Sequence, residues 1–136
     1  MSYFLAKTDP DTYSIDDFER EQETVWDGVR NAQAVKAILA MQPGDRVFIY
    51  HSGGVSAVVG LAEVLTAGRP DPSDPKSAIA DFRLLARLDP PVTLKEIKTS
   101  GKFDDWSLVR QSRLSTMAAP TSFAAFLRKK FPQVEI

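Results

Sequence analysis

Four side chains suited to recognition fall within six residues of this chain: Trp26, Asp27, Arg30 and Asn31, in the run Trp26-Asp27-Gly28-Val29-Arg30-Asn31. An indole face, a carboxylate and a guanidinium there adjoin the start of a helix. The N–H groups of a helix's first turn have no partner within it and point outward. Asn31 can cap that helix, because its side-chain oxygen accepts from those N–H groups. Together these groups could form a pocket for a planar, polar ligand. Stacking a base on an aromatic side chain is worth about 1–3 kcal/mol. Phe48 and Tyr50 are candidates for a second wall. The competing reading of Trp26 is a core tryptophan, and for Trp106 core packing is favoured.

The other reactive residue types mostly exclude. The chain has no cysteine, which rules out thiol catalysis, disulfides and cysteine-ligated metal. His51 is the only histidine, so no site needing two histidine ligands exists. A Ser–His–Asp triad is formally available with Ser52 or Ser56, but no serine stands in a glycine-flanked nucleophile elbow. His51 is expected instead at a strand end, structural or pocket-lining, where it could donate to a carbonyl. Gly53 and Gly54 lack the lysine of a phosphate-binding loop, and a hairpin turn suits them better. Glu63, among apolar residues, calls for a cation or backbone donors, with Arg30 and Lys7 as candidates. An exposed glutamate is equally compatible. We expect no catalytic residue, no metal and no cofactor.

These groups must be held by elements that the pattern outlines. Residues 3–6 read as a first strand, and residues 7–11 turn the chain. Ser14 with Asp17 three residues on opens a short helix whose apolar side is Ile15 and Phe18. Residues 19–24 read as a polar link, and residues 24–31 as a bend. The next helix runs to Met41, with Ala34, Ile38 and Met41 on one face. Residues 46–51 read as a strand with bulky side chains on both faces, and residues 57–64, with the β-favouring Val58, Val59 and Leu61, as its partner in an antiparallel hairpin. Gly60 inside the second strand marks a bulge or a close approach. Residues 65–76 read as a loop, residues 78–88 as a strand stopped by Pro90 and Pro91, and residues 93–97 as a helical turn. Leu114 and Met117 read as buried. A last helix spans residues 122–131, with Phe123, Phe126 and Leu127 inward and Pro132 at its end. Strands, an early helix and then more strands do not repeat a strand–helix unit, which points to a small α+β domain with a curled sheet or barrel. A length of 136 residues fits one domain.

A formal net charge of −1 argues against strong non-specific binding to a phosphate backbone. The signs are unevenly spread. Residues 1–25 are acidic, whereas residues 101–136 carry Lys102, Arg110, Arg113, Arg128, Lys129 and Lys130 against Asp104, Asp105 and Glu135. That basic third could form one face; an ordinary solvated surface is the alternative. No apolar run is long enough to span a membrane, and no signal peptide is recognisable. A cytoplasmic location is the default expectation.

The run Trp26-Asp27-Gly28-Val29-Arg30-Asn31, followed by Ala34, resembles the signature of EVE domains, small PUA-like domains related to YTH domains. The similarity extends to Lys7-Thr8-Asp9-Pro10, which stands where the family has a lysine–serine–glutamate–proline turn. It also takes in Phe48 with Tyr50-His51-Ser52, the strand at residues 59–64, and residues 108–115. The resemblance implies an α+β fold: a PUA-like β-barrel of about five or six strands surrounded by short helices, covering residues 1–136 as one EVE domain. It implies a non-catalytic module that holds a flipped modified base in an aromatic and polar pocket, foremost a modified cytosine in DNA, with RNA as the alternative carrier. Trp26 would match a cage tryptophan of the YTH relatives. Lys7, Thr8 and Asn31 would lie at the pocket rim, and Tyr50, His51 and Ser52 would face it. Arg30, Arg110 and Arg113 could contact the flanking phosphates, which position a strand without reading it. The alternatives are an enzyme acting on a nucleobase or nucleoside, and a protein- or metabolite-binding domain. The oligomeric state is unknown.

Overall fold

The computed structural model describes residues Met1–Ile136. The chain forms β1 (Tyr3–Thr8), α1 (Ile15–Glu21), β2 (Glu23–Val29), α2 (Ala32–Leu39), β3 (Arg46–His51), β4 (Ala57–Val64), β5 (Arg69–Asp71), β6 (Asp74–Thr93), α3 (Leu94–Ser100), α4 (Ser107–Arg110), β7 (Thr116–Ala119) and α5 (Thr121–Lys130). Three of the five helices start where a short polar side chain accepts from the first turn. Ser14 and Asp17 form a reciprocal capping box on α1, Asn31 caps α2 and Thr93 caps α3.

One sheet of seven strands runs β2-β6-β4-β3-β1-β7, with β5 paired to β6. β1 and β3 are parallel; the other pairs are antiparallel. The sheet curls, and α2 packs against both β6 and β7, across the opening between its two ends. Leu5, Phe18, Ile38, Phe48, Leu61 and Phe82 are fully buried within one continuous apolar cluster.

Three expectations need correction, and one strand was not anticipated. Residues 23–29 are a strand rather than a link and a bend. Its period-two pattern is broken by a register shift between Trp26 and Val29, with Gly28 at φ 76°, and Val25 faces out. Part of the loop expected over residues 65–76 pairs as a β5–β6 hairpin, with Arg69 opposite Ile79. β6 does not stop at Pro90 and Pro91. It pairs Arg87 with Gly60 and then Val92 with Val58, so both prolines lie in a segment bulged out of the ladder, where no N–H is needed. Thr116–Ala119 forms β7, a four-residue strand on β1. These additions give seven strands instead of five or six.

Two glycines mark close approaches. A Cβ on Gly60 would stand 2.7 Å from Ile15 Cδ1, so α1 lies directly on β4. A Cβ on Gly68 would stand 1.7 Å from the Ile38 carbonyl oxygen, which brings the chain before β5 against the end of α2. Glu63 pairs with Arg46 and Arg83, its neighbours on β3 and β6, and not with Arg30 or Lys7.

Candidate functional site

The end of β1, the turn after it and the middle of β2 enclose an open cleft of about 510 Å³. Its walls include Lys7, Thr8 and Asp9 on one side, Tyr13 on another, and Trp26 with Asp27 and Gly28 on the third. The turn is braced from within. The Asp9 carbonyl accepts from the N–H groups of Thr12 and Tyr13 at 2.9 Å each, and the Thr8 hydroxyl donates to the Tyr13 carbonyl at 2.8 Å. That bracing fixes where Tyr13 projects. Its hydroxyl then donates to Glu21 Oε1 at 2.9 Å.

Trp26 is both core and wall. One side of the indole stacks on Phe82, with centroids 5.3 Å apart, and Tyr13 meets it edge-on at 6.1 Å. It is only 6% exposed, so it offers the cleft an edge more than an open face. Tyr13, partly exposed, is the second aromatic of the cleft. Sequence reasoning missed it. The signal available was a tyrosine two residues beyond a Thr-Asp-Pro-Asp turn. Phe48 and Tyr50 do not supply that wall: Phe48 stacks on Tyr3 within the core, and Tyr50 is 2% exposed.

Lys7 links the cleft to a second hollow. Its half-buried Nζ donates to the Ser112 carbonyl at 3.0 Å and lies 5.4 Å from the centroid of the Tyr50 ring. Burial holds its ammonium below the ordinary lysine range. Ser112 belongs to a hollow of about 310 Å³ that also includes Asn31, Arg110 and Arg113. Asn31 reaches it with its side-chain oxygen already engaged, accepting from Gln33 N at 2.9 Å and Ala34 N at 3.1 Å. Arg110 donates to the Asp104 carbonyl and pairs with Asp105 at 2.9 Å. Arg113 is exposed and makes no ion pair.

Of the expected ligand-binding residues, Asn31 lines only the second hollow, Tyr50, His51 and Ser52 line neither hollow, and Arg30 is tied elsewhere. His51 accepts at Nε2 from the Ile15 N–H at 3.0 Å and so anchors the start of α1. The expected donation to a carbonyl does not occur through that nitrogen. Burial and the nearby Arg87 keep its pKa below the usual value. Ser52 is exposed in the β3–β4 turn and donates its N–H to the Thr8 carbonyl at 3.0 Å. Tyr50 sits beneath Lys7, where burial pushes its phenol up. Arg30 pairs with Asp74 of the β5–β6 hairpin at 2.7 Å. Trp106 packs against Phe123 and donates Nε1–H to the Ala118 carbonyl at 2.9 Å, as a core residue does.

The model of one protein family, the EVE domain, matches residues 2–130. Thymocyte nuclear protein 1 of Rattus norvegicus is 29% identical over an alignment covering 84% of this chain and 66% of that protein, so the chain spans about two thirds of this relative. The solved structure of Rpa0253 from Rhodopseudomonas palustris superimposes with a TM-score of 0.89 at 32% identity, covering 100% of this chain and 97% of that one. A structure of human THYN1 in complex with 5-methylcytosine-containing DNA gives a TM-score of 0.84 at 23% identity, covering 93% of this chain and 95% of that one. The cytoplasmic expectation is overturned here, because the curated relatives from rat, mouse, human and chicken are all named Thymocyte nuclear protein 1. No helix of the chain is long and apolar enough to cross a membrane.

Proposed function

The chain belongs to the EVE domain family, and from that premise we propose that residues 1–136 are one EVE domain acting as a non-catalytic reader of a modified base in nucleic acid, a modified cytosine in DNA foremost. The observation that carries this reading is the cleft in which Tyr13 and Trp26 stand beside Lys7 and Thr8. A flipped base enters beside the partly exposed Tyr13 ring and abuts the Trp26 edge. Extrusion costs a few kcal/mol, which stacking and hydrogen bonds to the base edge must repay. On the side facing the aromatics Lys7 has N–H donors left beyond its bond to Ser112, and the Thr8 hydroxyl, its proton given to the Tyr13 carbonyl, offers an acceptor. Arg113, free of ion pairs, contacts a flanking phosphate through the adjoining hollow, with Arg110 behind it. The human THYN1 structure with 5-methylcytosine DNA supports the choice of ligand.

A binding titration at low salt tests this. The panel is single- and double-stranded DNA and RNA with unmodified, methylated or hydroxymethylated cytosine, plus methylated adenine. We expect one modified member to bind selectively. Tyr13→Ala should weaken that binding by about tenfold, the equivalent of about 1.4 kcal/mol of stacking. Trp26→Phe keeps an aromatic in the core and should weaken it less. Equal, weak binding to every member that fades with salt overturns the reading.

A further inference from the structure

The cations of this chain are consumed unevenly. On the sheet they are mostly neutralised: Arg46 and Arg83 by Glu63, Arg69 by Asp81, Arg87 by Asp16. α3, the turn after it and α5 are different. They carry Lys95, Lys98, Lys102, Arg128, Lys129 and Lys130 against Glu96, Asp104 and Asp105, the last of which is held by Arg110, in a chain of net charge −1. Glu96 pairs with Lys130, while Lys95, Lys98, Lys102 and Lys129 make no ion pair. These elements form one surface. Phe103 meets Phe126 edge to face at 5.3 Å, and the Nζ atoms of Lys102 and Lys130 lie 5.7 and 5.0 Å from the centroid of the partly exposed Phe126 ring. Like charges gathered without partners repel one another, and an external polyanion relieves that repulsion.

This surface is continuous with the cleft. Thr8 pairs with His51, His51 with Ala57, and Ala57 with Thr93, so β1, β3, β4 and β6 present these ends on one side of the sheet. The Ser52 N–H binds the Thr8 carbonyl, and the Leu94 N–H binds the Ser56 carbonyl at 2.9 Å. The β3–β4 turn therefore bridges the cleft wall and the start of α3. On its far side a hollow of about 530 Å³ is lined by Val55, Ser56, Lys95 and Lys98, with Val55 73% exposed at the tip.

We propose that the polynucleotide whose base enters the cleft runs over the β3–β4 turn onto α3 and α5, where Lys95 and Lys98, and farther on Lys102 and Lys129, neutralise its phosphates. This rests on the reader function above and deepens it: the ligand is a polymer and not a free nucleoside. Continuity with the cleft selects a nucleic-acid backbone over an acidic protein, since the same chain supplies the base and the phosphates.

The test compares a duplex of about 20 base pairs carrying the preferred base with a trinucleotide carrying it, across a salt series. Lys95→Gln/Lys98→Gln should lower duplex affinity at least about tenfold at low salt and leave the trinucleotide unaffected. It should also reduce the slope of log K against log salt by about two, because each neutralised phosphate adds roughly 0.9 to that slope. Lys95→Glu/Lys98→Glu should act in the same direction and more strongly. Unaltered duplex affinity and slope in the glutamine variant, with its melting temperature unchanged, overturn the proposal. So does an equal loss for duplex and trinucleotide. If polyglutamate binds the native protein as tightly as the duplex and weakens in the same variant, the occupant is an acidic protein instead. Failure of the reader function looks different: modified and unmodified duplexes bind alike, while the lysine variants still change the salt slope.

Discussion

At the residue scale, His51 shows how a side chain marked for chemistry can be used for architecture. Its Nε2 accepts from the Ile15 N–H, which only an unprotonated ring nitrogen can do. Burial, followed by repulsion from Arg87, depresses its pKa below 6.5; Asp16 opposes this without cancelling it. The folded state therefore favours the neutral ring. That contribution is complete above pH 6.5 and is lost as pH falls through 6.5 towards the depressed folded value, because the unfolded chain takes up the proton first. We expect the melting temperature to drop between about pH 7 and 5. His51→Gln, which offers an acceptor that does not titrate, should flatten that part of the profile. Identical profiles for the two proteins would show that another group sets the acid limb.

At the element scale, glycines set how closely the helices approach the sheet. α1 rests on β4 because Gly60 leaves room for Ile15, which is 3% exposed and cannot swing into solvent. Gly60→Ala should cost about 1–3 kcal/mol, the usual range for overpacking a filled core. Adding Ile15→Val removes the clashing Cδ1 and should recover most of that loss. Urea unfolding of the single and double variants measures the coupling, and simple additivity would mean that the contact does not limit the approach. The warning at Gly60 was legible, because a glycine amid Val58, Val59 and Leu61 forfeits side-chain packing. What approaches it was not, because Ile15 lies 45 residues earlier in the chain.

At the scale of the whole molecule, the sheet's two ends are spanned by α2. Ile38 is fully buried on its inner face. Ile38→Ala should lower the unfolding free energy by about 2–5 kcal/mol, since the sheet cannot collapse onto the void without losing its curl. A loss below about 1 kcal/mol in a urea titration would mean that α2 merely covers the sheet. The Trp26–Tyr13 cleft depends on the same curl. Trp26 belongs to β2 at one end of the sheet order, whereas Lys7 belongs to β1 near the other.

The sequence by itself determined the starts of α1, α2 and α3, the β3–β4 hairpin, the apolar faces of α2 and α5, and the family. Each rests on residues a few positions apart: Asn31 capping its own helix, Gly53 and Gly54 reversing the chain, a six-residue signature. The α+β class and the curled sheet were also legible. Tertiary structure decided what depends on distant partners. β2 was hidden because a bulge shifts its register at the residues that form the signature. β7 has only four residues and pairs with the far end of the chain. The cleft's second aromatic proved to be Tyr13 and not Tyr50, because Tyr50 is buried beneath Lys7 whereas the braced turn after β1 carries Tyr13 against Trp26, a contact between residues 13 positions apart. The pairing of Glu63 with Arg46 and Arg83 follows from strand register alone, which fixes charged neighbours across the ladder whatever their spacing in sequence.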